Sequence, residues 1–219
     1  IYYRMVTIDW YDGWTGFAVK KAEQVLKEED VDVIFVDLEP ASSSRIALAL
    51  KKTTGKPLVV DYHDPWTTSY YWDREPERKR RAAEKTEHDL LLAADKVTAG
   101  KKVILEGIEE KFRDVDREKL ELVRSGYDPE DFEGVNKKSG AVFTVTYTGK
   151  ISEKFYYSPE SFLKALGELI REGKISREDI KVVFVGRISD RYRTRYEGII
   201  IEESLDGVVE NTGGGDHAQ

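Results

Sequence analysis

The chain has 219 residues with 35 Lys and Arg against 42 Asp and Glu, a formal net charge of -7, which argues against a general nucleic-acid binder, whose phosphate contacts need a basic excess. Hydrophobic residues make up 40% and aromatics 11%, so a core can form and disorder is disfavoured. There is no cysteine, which excludes disulfides and thiolate chemistry, and no apolar run approaches the roughly 18–20 residues that cross a bilayer.

Taken in chain order, the sequence opens on an aromatic, loop-like segment and a helix. Residues 31–37 then read as a strand, so nearly continuous in apolar residues that both faces are expected to be buried. Pro40 and Ser42 to Ser44 supply a turn and cap a helix through Lys52. Gly55 and Pro57 precede a strand at 58–62, and a charged helix follows from about 75 to 94, with Pro76 suited to its first turn. A short strand at 96–98, a helix at 101–112 and a strand at 120–124 complete the first block. The β-α alternation predicts a parallel sheet with helices on both faces.

The rhythm pauses where Pro129, Gly134, Asn136 and Gly140 fall among charges, then restarts. A strand at 141–147, helix at 158–172, strand at 180–185, helix at 190–204 and strand at 207–209 follow. Two domains are expected, 1–133 and 134–219: the second has too few strands for an open sheet, and the first looks cut because a loop-like aromatic segment and a helix precede its first strong strand. The expectation is a fragment from the middle of a longer two-domain α/β protein. Asn occurs only at 136 and 211 and Gln only at 24 and 219, while charged residues reach 35%. That balance resembles proteins that work hot, or is ordinary compositional scatter.

The densest polar constellation is Asp61-Tyr-His-Asp-Pro-Trp66, at the carboxyl end of a strand, where ligands gather in open α/β sheets. His63 can shuttle a proton or donate a hydrogen bond near neutral pH, with Asp64 to orient it. The alternative is a structural turn with a partly buried imidazole. Trp66, Tyr70, Tyr71 and Trp72, with Trp10, Tyr11 and Trp14 upstream, either stack on sugar rings or close loops over a core. The tract Arg74, Arg78, Lys79, Arg80 and Arg81 reads as a solvated helix face, or as a contact for an acidic lipid head group. His88 is expected to be simply exposed.

In the second block Tyr147-Thr-Gly-Lys-Ile-Ser152 lies between a strand and a helix. There Gly149 lets the backbone approach a phosphate, and Lys150 and Lys154 can neutralise it. The sequence lacks the full Walker pattern. Arg187, in Val185-Gly-Arg187, repeats the arrangement at the next strand end. No His, Asp or Glu cluster has metal-ligand spacing, so no metal is expected.

Together these segments resemble glycosyltransferase family 4, the retaining, nucleotide-sugar-dependent enzymes of the GT-B fold. The match rests on the strand and Pro/Ser loop from Asp32, on Gly55 through His63-Asp-Pro-Trp66, and on Ala93-Ala-Asp-Lys-Val-Thr98. It continues through Leu122-Val-Arg-Ser-Gly-Tyr-Asp-Pro-Glu-Asp-Phe132 and from Phe143 into the second block. The family's first strand and glycine-rich loop would precede Ile1, its paired-glutamate motif would follow Gln219, and its usual linker Asn is Ser125 here.

The resemblance implies a GT-B-like architecture of two Rossmann-like parallel-sheet domains, both truncated: an acceptor-side domain and the start of a nucleotide-sugar donor domain. It implies transfer of a sugar from a nucleoside diphosphate sugar, the co-substrate, to a hydroxyl of a carbohydrate or lipid-linked acceptor, with retention. No further cofactor is implied, and the fragment alone is expected to be inactive. His63 and Asp64 are the catalytic candidates; Gly149, Lys150, Lys154 and Arg187 the donor-binding ones; Trp66, Tyr70, Tyr71 and Trp72 the acceptor-side ones. The expected location is the cytoplasm, with peripheral membrane contact as a variant. Rival readings are a non-catalytic two-domain binding protein and a sugar-nucleotide epimerase on the same fold.

Overall fold

The computed structural model describes residues 7–133, 140, 142–154 and 157–214. Gly134, Asn136, Ala141 and residues 215–219, which figured in the sequence reading, lie outside the described residues. The chain divides into two compact units, Ile1–Tyr127 and Asp128–Gln219.

The first unit runs α1 (Thr15–Glu28), β1 (Ile34–Asp37), α2 (Ser43–Thr54), β2 (Leu58–Tyr62), α3 (Glu77–Ala93), β3 (Lys96–Ala99), α4 (Lys102–Lys111) and β4 (Leu120–Leu122). A 3-10 helix, Tyr70–Arg74, sits between β2 and α3. The strands are parallel in the order β1-β2-β3-β4. Register aligns Val36, Val60, Val97 and Leu120 in one row across the sheet, and Asp37, Asp61, Thr98 and Glu121 in the next. Because successive residues point to opposite faces, these two rows lie on opposite faces, the first apolar and the second polar.

The apolar row packs with Ala47 of α2, Ala83, Leu90 and Leu91 of α3 and Ile104 and Ile108 of α4 in a single core. Leu58, Val60 and Val97 are fully buried, each contributing about 1.5–3 kcal/mol. Local signals hold at one end of α2 only: Gly55 marks its close, but the expected serine cap does not form, since Ser42 makes no side-chain cap hydrogen bond. Gly55 closes α2 in the left-handed region, φ 66°, where its N–H reaches Lys51 O. At the other end of α2 the Asp9 carboxylate accepts from Ser42 N at 2.6 Å.

The expectation of helices on both faces does not hold among the described residues. Adjacent parallel strands in sequential order, joined by crossovers of one hand, bring every connecting helix to the same side. Phe35, expected inside a doubly buried strand, is therefore 63% exposed on the polar face.

The second unit repeats the plan with β5 (Phe143–Thr148), α5 (Glu160–Arg171), β6 (Ile180–Val185), α6 (Asp190–Glu202) and β7 (Val209–Gly213), parallel in the order β5-β6-β7. Val145, Val182 and Val209 align in one row and pack with Leu163 and Leu166 of α5 and Tyr192, Tyr196 and Ile199 of α6. Arg195 of α6 and Lys164 of α5 both pair with Glu160, at 2.6 and 2.7 Å, and hold its carboxyl down at about 2. The last strand starts at Val209 rather than at 207, because Gly207 turns the chain with φ 78°.

Candidate functional site

Each unit opens a mouth at the carboxyl ends of its parallel strands. In the first unit His63 directly follows Tyr62, the last residue of β2. Its imidazole is exposed and makes no hydrogen bond to a described residue. It lines a cavity of about 450 Å³ with Phe35, Asp61, Thr98, Lys101 and Arg124. The Thr98 hydroxyl donates to the Asp61 carboxylate. Asp64, expected to orient His63, engages Lys101 instead, Nζ to Oδ1 at 3.1 Å. Both groups lie largely in solvent, so the pair adds at most about 1 kcal/mol.

The turn that carries His63 is fastened from beneath. Glu87 of α3, with no exposed surface, accepts a hydrogen bond from Tyr62 OH at 3.0 Å, from Thr67 N at 3.2 Å and from the Thr67 hydroxyl. Burial pushes the Glu87 carboxyl up, against those hydrogen bonds and the Lys111 charge, which pull it down. Burial, reinforced by Glu87, likewise lifts the Tyr62 phenol well above its ordinary value.

The aromatic group divides. Trp66 is 5% exposed and belongs to the core, its ring edge-on to Trp72 with centroids 6.4 Å apart. Packing thus takes up its faces. Tyr71 and Trp72 line a cleft of about 740 Å³ with Asp9, Trp10, Glu75 and Lys79, and the Lys79 ammonium lies 5.3 Å from the Trp72 ring centre. Tyr70 stacks obliquely on Tyr71 at 4.1 Å and is 60% exposed. The basic tract is largely self-paired: Lys79 with Glu75, Arg80 with Asp73, and Arg81 with Glu77. His88 is half-buried rather than free, stacked on Phe112 and 2.9 Å from Asp114.

In the second unit a mouth of about 910 Å³ is lined by Lys150, Arg187, Ser189, Asp190, Arg193 and Asn211. It exists because two loops run in backbone contact. Gly149 N donates to Val185 O and Ile151 N to Arg187 O, both at 3.0 Å. A Cβ on Gly186 would stand 1.8 Å from Gly149 O, and Gly149 itself has φ +150°. Asn211 braces the same loops: its amide donates to Phe184 O at 3.2 Å and to Gly186 O at 3.3 Å, and its carbonyl accepts from Gly213 N at 3.2 Å.

Lys150, Arg187 and Arg193 make no ion pair with a described residue. The Ser189 hydroxyl is 2.9 Å from Glu153. A backbone N–H, Ser189, and the Arg191 and Lys150 charges hold that carboxyl below the usual range. Lys154 is exposed and lies outside the lining. The start of α6 points its N–H groups toward the same end of the sheet, which favours an anion there.

Sequence reading missed Lys101, Arg124, Arg193, Asn211 and Glu87. Lys101 and Arg124 were findable by the strand-end rule that singled out His63. Asn211, one of two asparagines in the chain, was read for composition only.

The paired parallel-sheet units recur in solved structures. A glycosyltransferase from Rickettsia africae ESF-5 matches over 93% of this chain and 52% of its own, at 15% identity and a TM-score of 0.63. HepE from Anabaena, crystallised with UDP, matches over 94% and 52%, at 15% identity and a TM-score of 0.56. The UDP-N-acetylglucosamine 2-epimerase described from Listeria monocytogenes matches over 98% and 54%, at 15% identity and a TM-score of 0.52. This chain therefore spans about half the length of these structures, and the fold is that of the GT-B proteins, Rossmann-like in each unit. No curated protein sequence matches it. Among the described residues no helix is long and apolar enough to cross a membrane. The family model for Glycosyltransferase Family 4 matches residues 3–131, covering β1 to β4, the His63 turn and the segment beyond them. On that match, over more than half of its length, the chain belongs to glycosyltransferase family 4.

Proposed function

We propose that the protein transfers a glycosyl group from a nucleoside diphosphate sugar to a hydroxyl acceptor. The observation that carries this reading is the second unit's mouth, lined by Lys150, Arg187 and Arg193, none of them in an ion pair with a described residue, against one acid in the lining, Asp190. Lys150 and Arg187 on the glycine-framed loops and Arg193 on α6 suit a diphosphate. As the bond from sugar C1 to phosphate oxygen breaks, charge grows on the leaving diphosphate, and fixed cations stabilise it most at that moment. The acceptor oxygen forms the new bond to C1, and its proton passes to the leaving diphosphate.

His63, free at the end of β2, is assigned to hydrogen-bond the transferred sugar, and Tyr70, Tyr71 and Trp72 to the acceptor side. Aromatic faces beside a polar rim suit a sugar ring. Retention at C1 rests on the family resemblance. HepE was crystallised with UDP, which makes UDP the first probe for this chain.

Calorimetry of the chain with UDP, together with a product assay of the full-length protein on a donor and acceptor panel, tests the reading. Binding that depends on Lys150 and Arg187, and a product that keeps the donor's anomeric configuration, support it. Conversion of the donor sugar with no acceptor consumed would instead identify an epimerase. Binding without turnover of any pair would favour a non-catalytic binding protein.

A further inference from the structure

Helix α3 sends one carboxylate into the core. Ala83, Leu90 and Leu91 are buried beside it, and their spacing from Glu87 is that of a single helical stripe. A glutamate in that stripe is expensive, because burying a carboxylate costs more than burying a shape-matched apolar group. Stability therefore does not account for it.

Its partners suggest what does. Tyr62, the residue before His63, is held through its hydroxyl, and Thr67, four residues after His63, is held through both its N–H and its hydroxyl. The turn 63–66 thus has both ends fastened to one rigid helical carboxylate. Lys111 of α4 locks the far end from the other side, donating to Thr67 O at 2.8 Å and Thr67 Oγ1 at 3.0 Å while pairing with Glu84 at 2.9 Å. With Thr67 Oγ1 accepting from Lys111 and donating to Glu87, each link fixes the next.

We infer that Glu87 is a positioning residue that sets the place of His63 at the strand end, through Tyr62 and Thr67. The catalytic significance of that placement rests on the proposed function; the placement itself does not. Only His63, His88 and His217 carry imidazoles, so their ring signals in a heteronuclear NMR spectrum are assignable by single substitutions.

The experiment compares those signals in the 219-residue chain, in Glu87→Ala, in Glu87→Gln and in Leu90→Ala, which empties a neighbouring core site on the same stripe. The expected result is that Glu87→Ala moves or splits the His63 signals and Glu87→Gln, whose amide oxygen still accepts a hydrogen bond, largely restores them. His88, one residue along the helix from Glu87, and the Leu90→Ala chain should keep the parent pattern. Thr67→Val, which removes the hydroxyl link, serves the same purpose if Glu87→Ala does not fold. An unmoved His63 in both Glu87→Ala and Thr67→Val, or an equal shift in Leu90→Ala, overturns the inference.

In the full-length protein, Glu87→Ala should lower kcat about 10- to 100-fold, with the KM for donor changed far less, as misplacement of a catalytic group does. If His63 signals respond but His63→Ala turns over normally, the role given to His63 fails while positioning by Glu87 stands.

Discussion

The two strand-end mouths use opposite means on the same scaffold. In the first unit the chemistry-bearing turn is secured by side chains, Tyr62 and Thr67 on the buried Glu87, and the charge beside it, Asp64, is already matched by Lys101. In the second the loops are secured by backbone contact between Gly149 and Gly186, and Lys150, Arg187 and Arg193 make no ion pair with a described residue. A turn held by a hydrogen-bonded network resists displacement. Loops held by their own backbone need no side-chain charge to hold them. The first arrangement favours geometry, and the second favours charge.

The largest effect should come from Gly186→Ala. The added Cβ would collide with Gly149 O at 1.8 Å, and backbone cannot yield as a flexible side chain can. Destabilisation of the second unit by about 3 kcal/mol is expected, measured by chemical denaturation followed at the tyrosines of that unit, since all four tryptophans lie in the first, together with loss of UDP binding. A Gly198→Ala control, with nothing nearer than Glu202 Oε1 at 3.9 Å, should be neutral or stabilising by up to about 1 kcal/mol, since the residue lies inside α6. Equal effects at 186 and 198 would break the claim that backbone contact builds the mouth.

Next in size, Lys150→Ala and Arg187→Ala should each weaken UDP binding by about 1.5–3 kcal/mol in calorimetry. The loss should shrink at high salt, which already screens the pair. Unchanged affinity in both would remove the charge side of the comparison.

Glu87 offers a pH test of the first mouth. Burial raises its carboxyl above the ordinary 4.5, so the folded chain keeps that proton to higher pH than the unfolded chain. This contribution is fully present below the unfolded value and is lost as pH rises through the raised folded value. Relative to Glu87→Gln, the parent chain should therefore lose stability across that window, read by denaturant midpoints at a series of pH values. A difference that stays flat with pH would mean the carboxyl is not destabilised by its burial.

The smallest effect belongs to the surface pair. Asp64→Asn should change stability by less than about 1 kcal/mol, because both Asp64 and Lys101 stand in solvent. A larger loss would show that the pair, and not only Glu87, secures the His63 turn.

Local chemistry alone made much of this legible. The alternation of β-branched runs with amphipathic stretches places the strands and helices, since periodicity is carried by each segment separately. Gly55 marks a turn because positive φ suits glycine, whereas Gly207, read as the start of a strand, showed its turn only in the structure. His63, Gly149, Lys150 and Arg187 follow predicted strands, and in a parallel sheet all strand ends share one rim, so their position there could be read before any tertiary contact was known. Tertiary structure alone decided which face of each sheet the helices cover, because that depends on strand order, and a run of apolar residues does not encode its neighbours. It decided that Trp66 belongs to the core while Tyr70 stays in solvent, although both lie in one aromatic run. It also turned Glu87, one acid among 42 in the sequence, into the anchor of the His63 turn, since Tyr62 and Thr67 lie 25 and 20 residues away along the chain and meet it only when α3 packs onto β2.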